Sequence, residues 1–234
     1  MNFNPKIYEA TAVLFALVLL FGVSCVLSHE RGEAIFYYFS QQWPGTRCGG
    51  ERGCCYPKTG KPAPGFLIHG LRPQNFMNED LRNCEPKDQL IPSQISNMTS
   101  ELKKRWPSLD CPSRGNMRYW KSEWTTYGTC GNYVLNQTQY FKTALLLKSE
   151  VDLLKVLIKA GIKPDGGLYD FNTAFEAIRI ATGYMPGIFC VKDKAGNRLL
   201  DTIVGCTVEG TKYNDCPGMW GSDCGSTFKF PPPA

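Results

Sequence analysis

The stretch FLIHGLRPQ, residues 66–74, decides how the rest of the chain reads. With Gly65 it forms an apolar run bounded by the Pro62/Pro64 cluster and by Pro73, the pattern of a short strand. At its centre sits His69, one of two histidines in 234 residues. The other, His29, lies at the edge of an N-terminal apolar segment, so imidazole chemistry in the folded body falls to His69.

On either side of this strand the pattern sorts into two kinds of element. IFYYFSQQW (35–43) is aromatic-rich and reads as a strand, and strands return at about 187–192 and 199–208, where glycines weaken the alternation. Helical signals lie between them, at 138–148 and 150–160. In VDLLKVLIKA (151–160) the residues Val151, Leu154, Leu157 and Ile158 fall at core-facing spacing, and Pro164-Asp165-Gly166 stops the helix. A third helix is expected at 171–182, with Phe171, Ala174, Phe175, Ile178 and Ile180 on its apolar side. Helices grouped in the middle with strands at both ends favour an α+β fold over βαβ winding. Pro/Gly clusters at 44–65, 107–115 and 163–167 read as loops, and no long linker, charge block or repeat divides the chain, so residues 29–234 are expected to form a single domain and a monomer.

The first 28 residues are of another kind. Lys6 precedes an apolar run from Thr11 to Leu27 that ends among small residues, the make-up of a secretory signal peptide cut after Ser24 or Ser28. A signal anchor is the competing reading, but no second apolar run follows and no membrane segment is expected after cleavage. The net charge of +5 survives cleavage, because Lys6 and Glu9 leave together; it suits a polyanionic partner without identifying one.

Of 11 cysteines, Cys25 belongs to the leader, and the even remainder in an oxidising compartment implies five disulfides. A zinc site is disfavoured, since no CxxC pair exists and histidines are lacking; neither metal nor cofactor is expected. The sequons at Asn97 and Asn136 agree with passage through the secretory pathway, ending outside the cell or in the vacuole.

A second stretch, YWKSEWTTYGTC (119–130), joins FLIHGLRPQ, QQWPG (41–45) and CCYPKTGKP (54–62) to make four blocks in order. Together they closely resemble the ribonuclease T2 family, specifically its plant S-like members, from about Ile35 to the FKFP near the C-terminus. The resemblance implies an α+β fold with a central antiparallel sheet packed by helices, an RNA-binding cleft, and, in active members, cleavage of RNA through a cyclic phosphate. It also implies the pairs Cys48–Cys54, Cys55–Cys111, Cys84–Cys130, Cys190–Cys224 and Cys206–Cys216.

That chemistry needs a base for the 2′-hydroxyl proton, an acid for the leaving 5′-oxygen and positive charge beside the phosphate; histidine suits both proton roles. The family motifs have the form HGLWP and HEWxKHGTC. His69 stands at the histidine that usually serves as general acid, but Arg72 replaces the tryptophan. In the second motif Glu123, Trp124, Gly128, Thr129 and Cys130 match. Ser122 stands where a phosphate-binding histidine is expected, Thr126 where the lysine is, and Tyr127 where the general-base histidine is. Of the six active-site positions only His69 and Glu123 remain.

A positioned general base contributes about 100- to 10,000-fold. Tyrosine replaces it poorly, since a free pKa of about 10 leaves roughly one part in a thousand ionised at neutral pH. A site that keeps Glu123 without its cations should repel phosphate unless Arg72, Lys121 or Arg118 supplies charge, and Arg72 is the foremost candidate because guanidinium binds phosphate bidentately. Gln41 and Gln42 fall in the segment resembling the family's base-contacting strand, whereas Trp120 and Trp124 read as core and Lys58 and Lys61 as exposed loop charges. The expectation is a secreted glycoprotein of this family, a pseudoenzyme with RNA or a nucleotide as its natural ligand class. The alternative is an active endoribonuclease with His69 as general acid.

Overall fold

The computed structural model describes residues 36–50, 53–56, 60–75, 77–208, 212–215 and 223–234. The expected signal peptide, His29, Lys58 and Cys216 lie outside these residues. Strand β1 (Phe36–Gln42) pairs antiparallel with β2 (Leu67–Gln74) on one side and with the long β5 (Arg198–Val208) on the other. β5 also pairs antiparallel with β4 (Gly187–Lys192) and β6 (Lys212–Asn214). It meets β7 (Thr227–Lys229) in a single parallel contact, and β7 pairs with β3 (Leu168–Asp170) to complete a seven-stranded sheet.

Helices pack against this sheet, giving the α+β class. They are α1 (Pro44–Gly49), α2 (Thr99–Arg105), α3 (Asn116–Thr126), α4 (Gln137–Glu150), α5 (Leu153–Lys159) and α6 (Phe171–Thr182). Their ends follow local chemistry. Asn136 and Gln139 form a capping box at the start of α4, Asp152 and Asp170 cap α5 and α6, and Gly183, with φ of 76°, ends α6 in the left-handed conformation that a Cβ disfavours.

Two cores result. Trp106, Trp120, Trp124, Tyr140 and Phe141 pack with Tyr37, Phe39 and Leu71 between β1–β2 and helices α2–α4. Trp43, Phe66, Phe228 and Phe230 pack with Leu157, Ile178 and Ile203 beneath α5 and α6. Ile180 departs from its expected place and is 74% exposed, because it follows the buried Ile178 by two positions, about 200° around the helix. Ile158 is likewise exposed, with its neighbour Leu157 taking the core position. The 44–65 segment is not all loop: Pro44 opens α1, its fixed φ suiting a first helical position.

Disulfides join Cys48–Cys54, Cys55–Cys111, Cys84–Cys130 and Cys190–Cys224, and Cys206 is disulfide-bonded as well. Among the described residues no helix is long and apolar enough to cross a membrane, and no cluster of three His, Cys, Asp or Glu side chains could hold a metal.

Candidate active site

His69 is set by an irregularity in β2. The register runs Ser40↔Gly70 and then Gln41↔Ile68, so His69 is the extra, unpaired residue of a β-bulge. A bulge re-aims a side chain and shifts the alternation around it. Ile68 and Leu71, three residues apart, accordingly enter the same core, where uninterrupted alternation would send them to opposite faces. The Tyr119 hydroxyl donates to the His69 carbonyl at 3.1 Å, tying the bulge to α3.

The imidazole lines a cavity of about 130 Å³ together with Gln42, Glu123, Tyr119, Arg47 and Asp110. Tyr119 and Glu123 are four residues apart on α3 and so share one face. Gln42 is oriented by Asp201, whose two carboxylate oxygens each accept from its amide at 3.2 Å. Arg47 and Asp110 pair across the rim at 3.4 Å. Gln41 differs: it is buried, and its amide oxygen accepts from Lys148 at 2.8 Å, away from this cavity.

Burial controls the titration of His69 and Glu123. It lowers His69 to about 4, helped by the charges of Arg72 and Arg47 and opposed by Asp110. Burial also raises Glu123 to about 8, with Arg72 opposing and Asp110 adding to the rise. Between those values the site holds a neutral imidazole and a neutral carboxylic acid. The phosphate repulsion expected from Glu123 is thereby removed below about pH 8, and Arg47 is the cation that faces the cavity. Glu123 Oε2 and Arg72 Nε are both buried without a hydrogen-bond partner, and both lie close to Gly70, within 3.4 Å and 3.2 Å of where a Cβ would stand.

Arg72 is occupied elsewhere. Its guanidinium lies over the Tyr127 ring at 5.0 Å, Arg82 lies over the same ring at 5.3 Å, and Asp80 pairs with both arginines at 3.6 and 2.7 Å. Burial works against ionisation of Asp80, yet hydrogen bonds from Gln74 and Arg82 and the two guanidinium charges hold its carboxyl below the usual value. Tyr127 is buried at the end of α3 and does not line the cavity. Ser122 and Arg118 are exposed on α3, and Lys121 and Thr126 are partly exposed; none of the four lines it either. The structure thus brings His69, Glu123 and Gln42 together and leaves Arg72, Gln41, Ser122, Thr126 and Tyr127 outside.

Arg47, Asp110 and Tyr119 complete the site without having been anticipated from sequence. Arg47 falls in a segment that reads as loop but forms α1, and Asp110 joins through the Cys55–Cys111 bridge beside it. Their one sequence signal was position, next to QQWPG and to a bridging cysteine.

The bulge of β2 thus sets His69 against Glu123 of α3 on a disulfide-linked α+β sheet. Residues 34–216 match the Ribonuclease T2 family, and the chain belongs to it. It is 41% identical to the extracellular ribonuclease LE of Solanum lycopersicum over 220 residues, covering 93% of this chain and 96% of that protein. It is 30% identical to a ribonuclease-like storage protein of Panax ginseng over 177 residues, 75% of this chain and 72% of the relative. The crystal structure of RNase NT in complex with 5′-AMP superposes with a TM-score of 0.79 at 40% identity, covering 84% of this chain and 98% of that one.

Proposed function

We propose that this protein keeps the nucleotide cleft of its family but has lost most or all RNA turnover, and works as a secreted or vacuolar glycoprotein in storage, defence or ligand binding. The observation that carries the reading is the fate of the general-base position: Tyr127 is held under Arg72 and Arg82, outside the cavity that contains His69. His69 cannot fill both proton roles, and with its pKa near 4 it is a poor proton donor at neutral pH. The storage protein among the relatives gives a precedent for the fold serving a role other than turnover. The N-terminal apolar run and the exposure of Asn97 and Asn136 support export and glycosylation.

The test is turnover of single-stranded RNA from pH 4 to 8 by the natural chain and by a Ser122→His/Thr126→Lys/Tyr127→His/Arg72→Trp variant. Activity confined to the restored protein is expected. Natural-chain turnover equal to that of an intact relative overturns the reading. The alternative, catalysis with His69 as general acid, has its own signature: turnover that rises below about pH 5 and disappears in His69→Ala.

A further inference from the structure

The cations absent from the family's catalytic positions have a counterpart in a separate cleft. A cavity of about 640 Å³, within the size range of ligand sites, lies between α2, the end of α4 and the loop leading into β2. Five cationic side chains line it, Lys61, Lys103, Lys104, Arg105 and Lys148, against the single carboxylate of Asp152. Lys104 and Arg105 are partly neutralised by Glu101 at 3.0 and 3.1 Å, and Asp152 is engaged by Lys155 at 3.5 Å. Among the described residues Lys103 and Lys61 have no ion-pair partner, and Lys61 lies over the Tyr56 ring at 5.4 Å.

Lys148 is the built part of this cleft. It is half-buried, and its ammonium is oriented by the 2.8 Å bond to Gln41. Burial lowers its pKa to about 8, with Arg105 adding to the fall and Asp152 opposing, so it remains cationic at neutral and acidic pH. Gln41 is followed on β1 by Gln42, which faces the His69 cavity, and Leu67 lines both cavities. The two sites are therefore adjacent across one edge of the sheet.

We propose that this cleft binds the phosphodiester backbone of single-stranded RNA that runs on from the His69 cavity. Lysines act as point charges suited to successive phosphates. Phe66 is buried, so the wall offers no aromatic platform for a base, and the recognition is of backbone and independent of sequence. A concave cleft does not suit a flat bilayer.

The inference rests on retention of the nucleotide cleft, but binding and turnover are read separately. Fluorescence anisotropy with labelled hexauridylate at 50 to 200 mM salt compares the natural chain with Lys61→Glu/Lys103→Glu, both exposed positions where folding is safe. The expected result is at least a ten-fold weaker affinity and a salt slope smaller by about 1.4, from two lost phosphate contacts at roughly 0.7 each. UMP binding should be unchanged, because neither residue touches the His69 cavity. Absence of hexauridylate binding by the natural chain, or binding and slope unaltered in the variant, overturns the proposal. Charge-sensitive binding of tripolyphosphate or phosphatidylserine vesicles without hexauridylate binding also overturns it, by assigning the cleft to another anion. RNA turnover by the natural chain would refute the loss of catalysis, and the same comparison is then read with 2′-O-methyl hexauridylate, which has no free 2′-hydroxyl to attack the phosphate.

Discussion

Replacing Glu123 by glutamine should change the shape of the stability curve against pH. Glu123 has a raised pKa in the folded state, from 4.5 to about 8, so the native protein holds a proton that the unfolded chain releases, and stability falls as pH rises through that window. His69 is shifted the other way, from 6.5 to about 4, so the unfolded chain takes up a proton that the native protein refuses, and stability falls as pH drops from 6.5 to 4. Between pH 4.5 and 6.5 the two slopes cancel. Above 6.5 Glu123 acts alone, over about one and a half pH units at roughly 1.4 kcal/mol each, a loss of about 2 kcal/mol by pH 8.

Glu123→Gln keeps the side chain's size and removes its proton. The plateau should then become a slope, with stability rising from pH 4.5 to 6.5 under His69 and staying level to pH 8. Relative to the natural chain the variant gains about 5 kcal/mol across pH 4.5 to 8. Urea unfolding followed by tryptophan fluorescence at half-unit steps, with disulfides intact, measures both curves. Parallel curves would refute the assignment of a buried, neutral Glu123.

Three further outcomes follow from packing. Tyr127→Ala should cost about 3 kcal/mol in urea unfolding, by opening a cavity and removing the ring beneath two guanidiniums, whereas Tyr127→Phe keeps that ring and should cost well under 1 kcal/mol. Gly70→Ala should cost about 1–2 kcal/mol, because the new methyl would stand 3.2 Å from Arg72 Nε and 3.4 Å from Glu123 Oε2, both already unpartnered. Asn136→Asp should remove any glycan at that sequon while keeping the cap of α4, and Asn136→Ala should remove both and lower stability by about 1 kcal/mol, as read by mass and by thermal unfolding.

Strands β1, β2, β4 and β5 and helices α4–α6 were legible because their periodicity is strong and their ends carry breakers such as Pro164-Asp165-Gly166 and Gly183, whereas β3, β6 and β7, three residues each, are too short to show alternation. α3 was not, because its buried side is marked only by Trp120, Trp124 and the acidic Glu123, so the helical spacing of the two tryptophans is not reinforced by further apolar residues. The site was half legible. The motif resemblance placed His69 and Glu123, but the bulge that aims His69 depends on β1 pairing 30 residues away, and Glu123 is buried where α3 meets Gly70 of β2. Arg47 rather than Arg72 lines the cavity for the same reason: charge can be counted in a sequence, but Asp80 and Tyr127 decide where Arg72 points.

The departures from the family motifs are therefore not independent of one another. Arg72, where the motif resemblance expects tryptophan, and Tyr127, where it expects histidine, touch, and Asp80 and Arg82 complete the cluster. A histidine restored at position 127 alone would sit about 5 Å from two guanidiniums. At that distance each like charge costs an imidazolium about 1–3 kcal/mol at effective dielectric constants of roughly 20–80, offset in part by Asp80. The imidazole's pKa would fall by about one to two units, leaving a weaker base. A variant carrying Ser122→His, Thr126→Lys and Tyr127→His should consequently gain turnover with the acid limb of its pH profile displaced downward. Adding Arg72→Trp should raise that turnover about ten-fold and move the limb up by about one unit. An acid limb at the same pH in both variants would mean that Arg72 does not act on position 127, and that the two substitutions arose without physical connection.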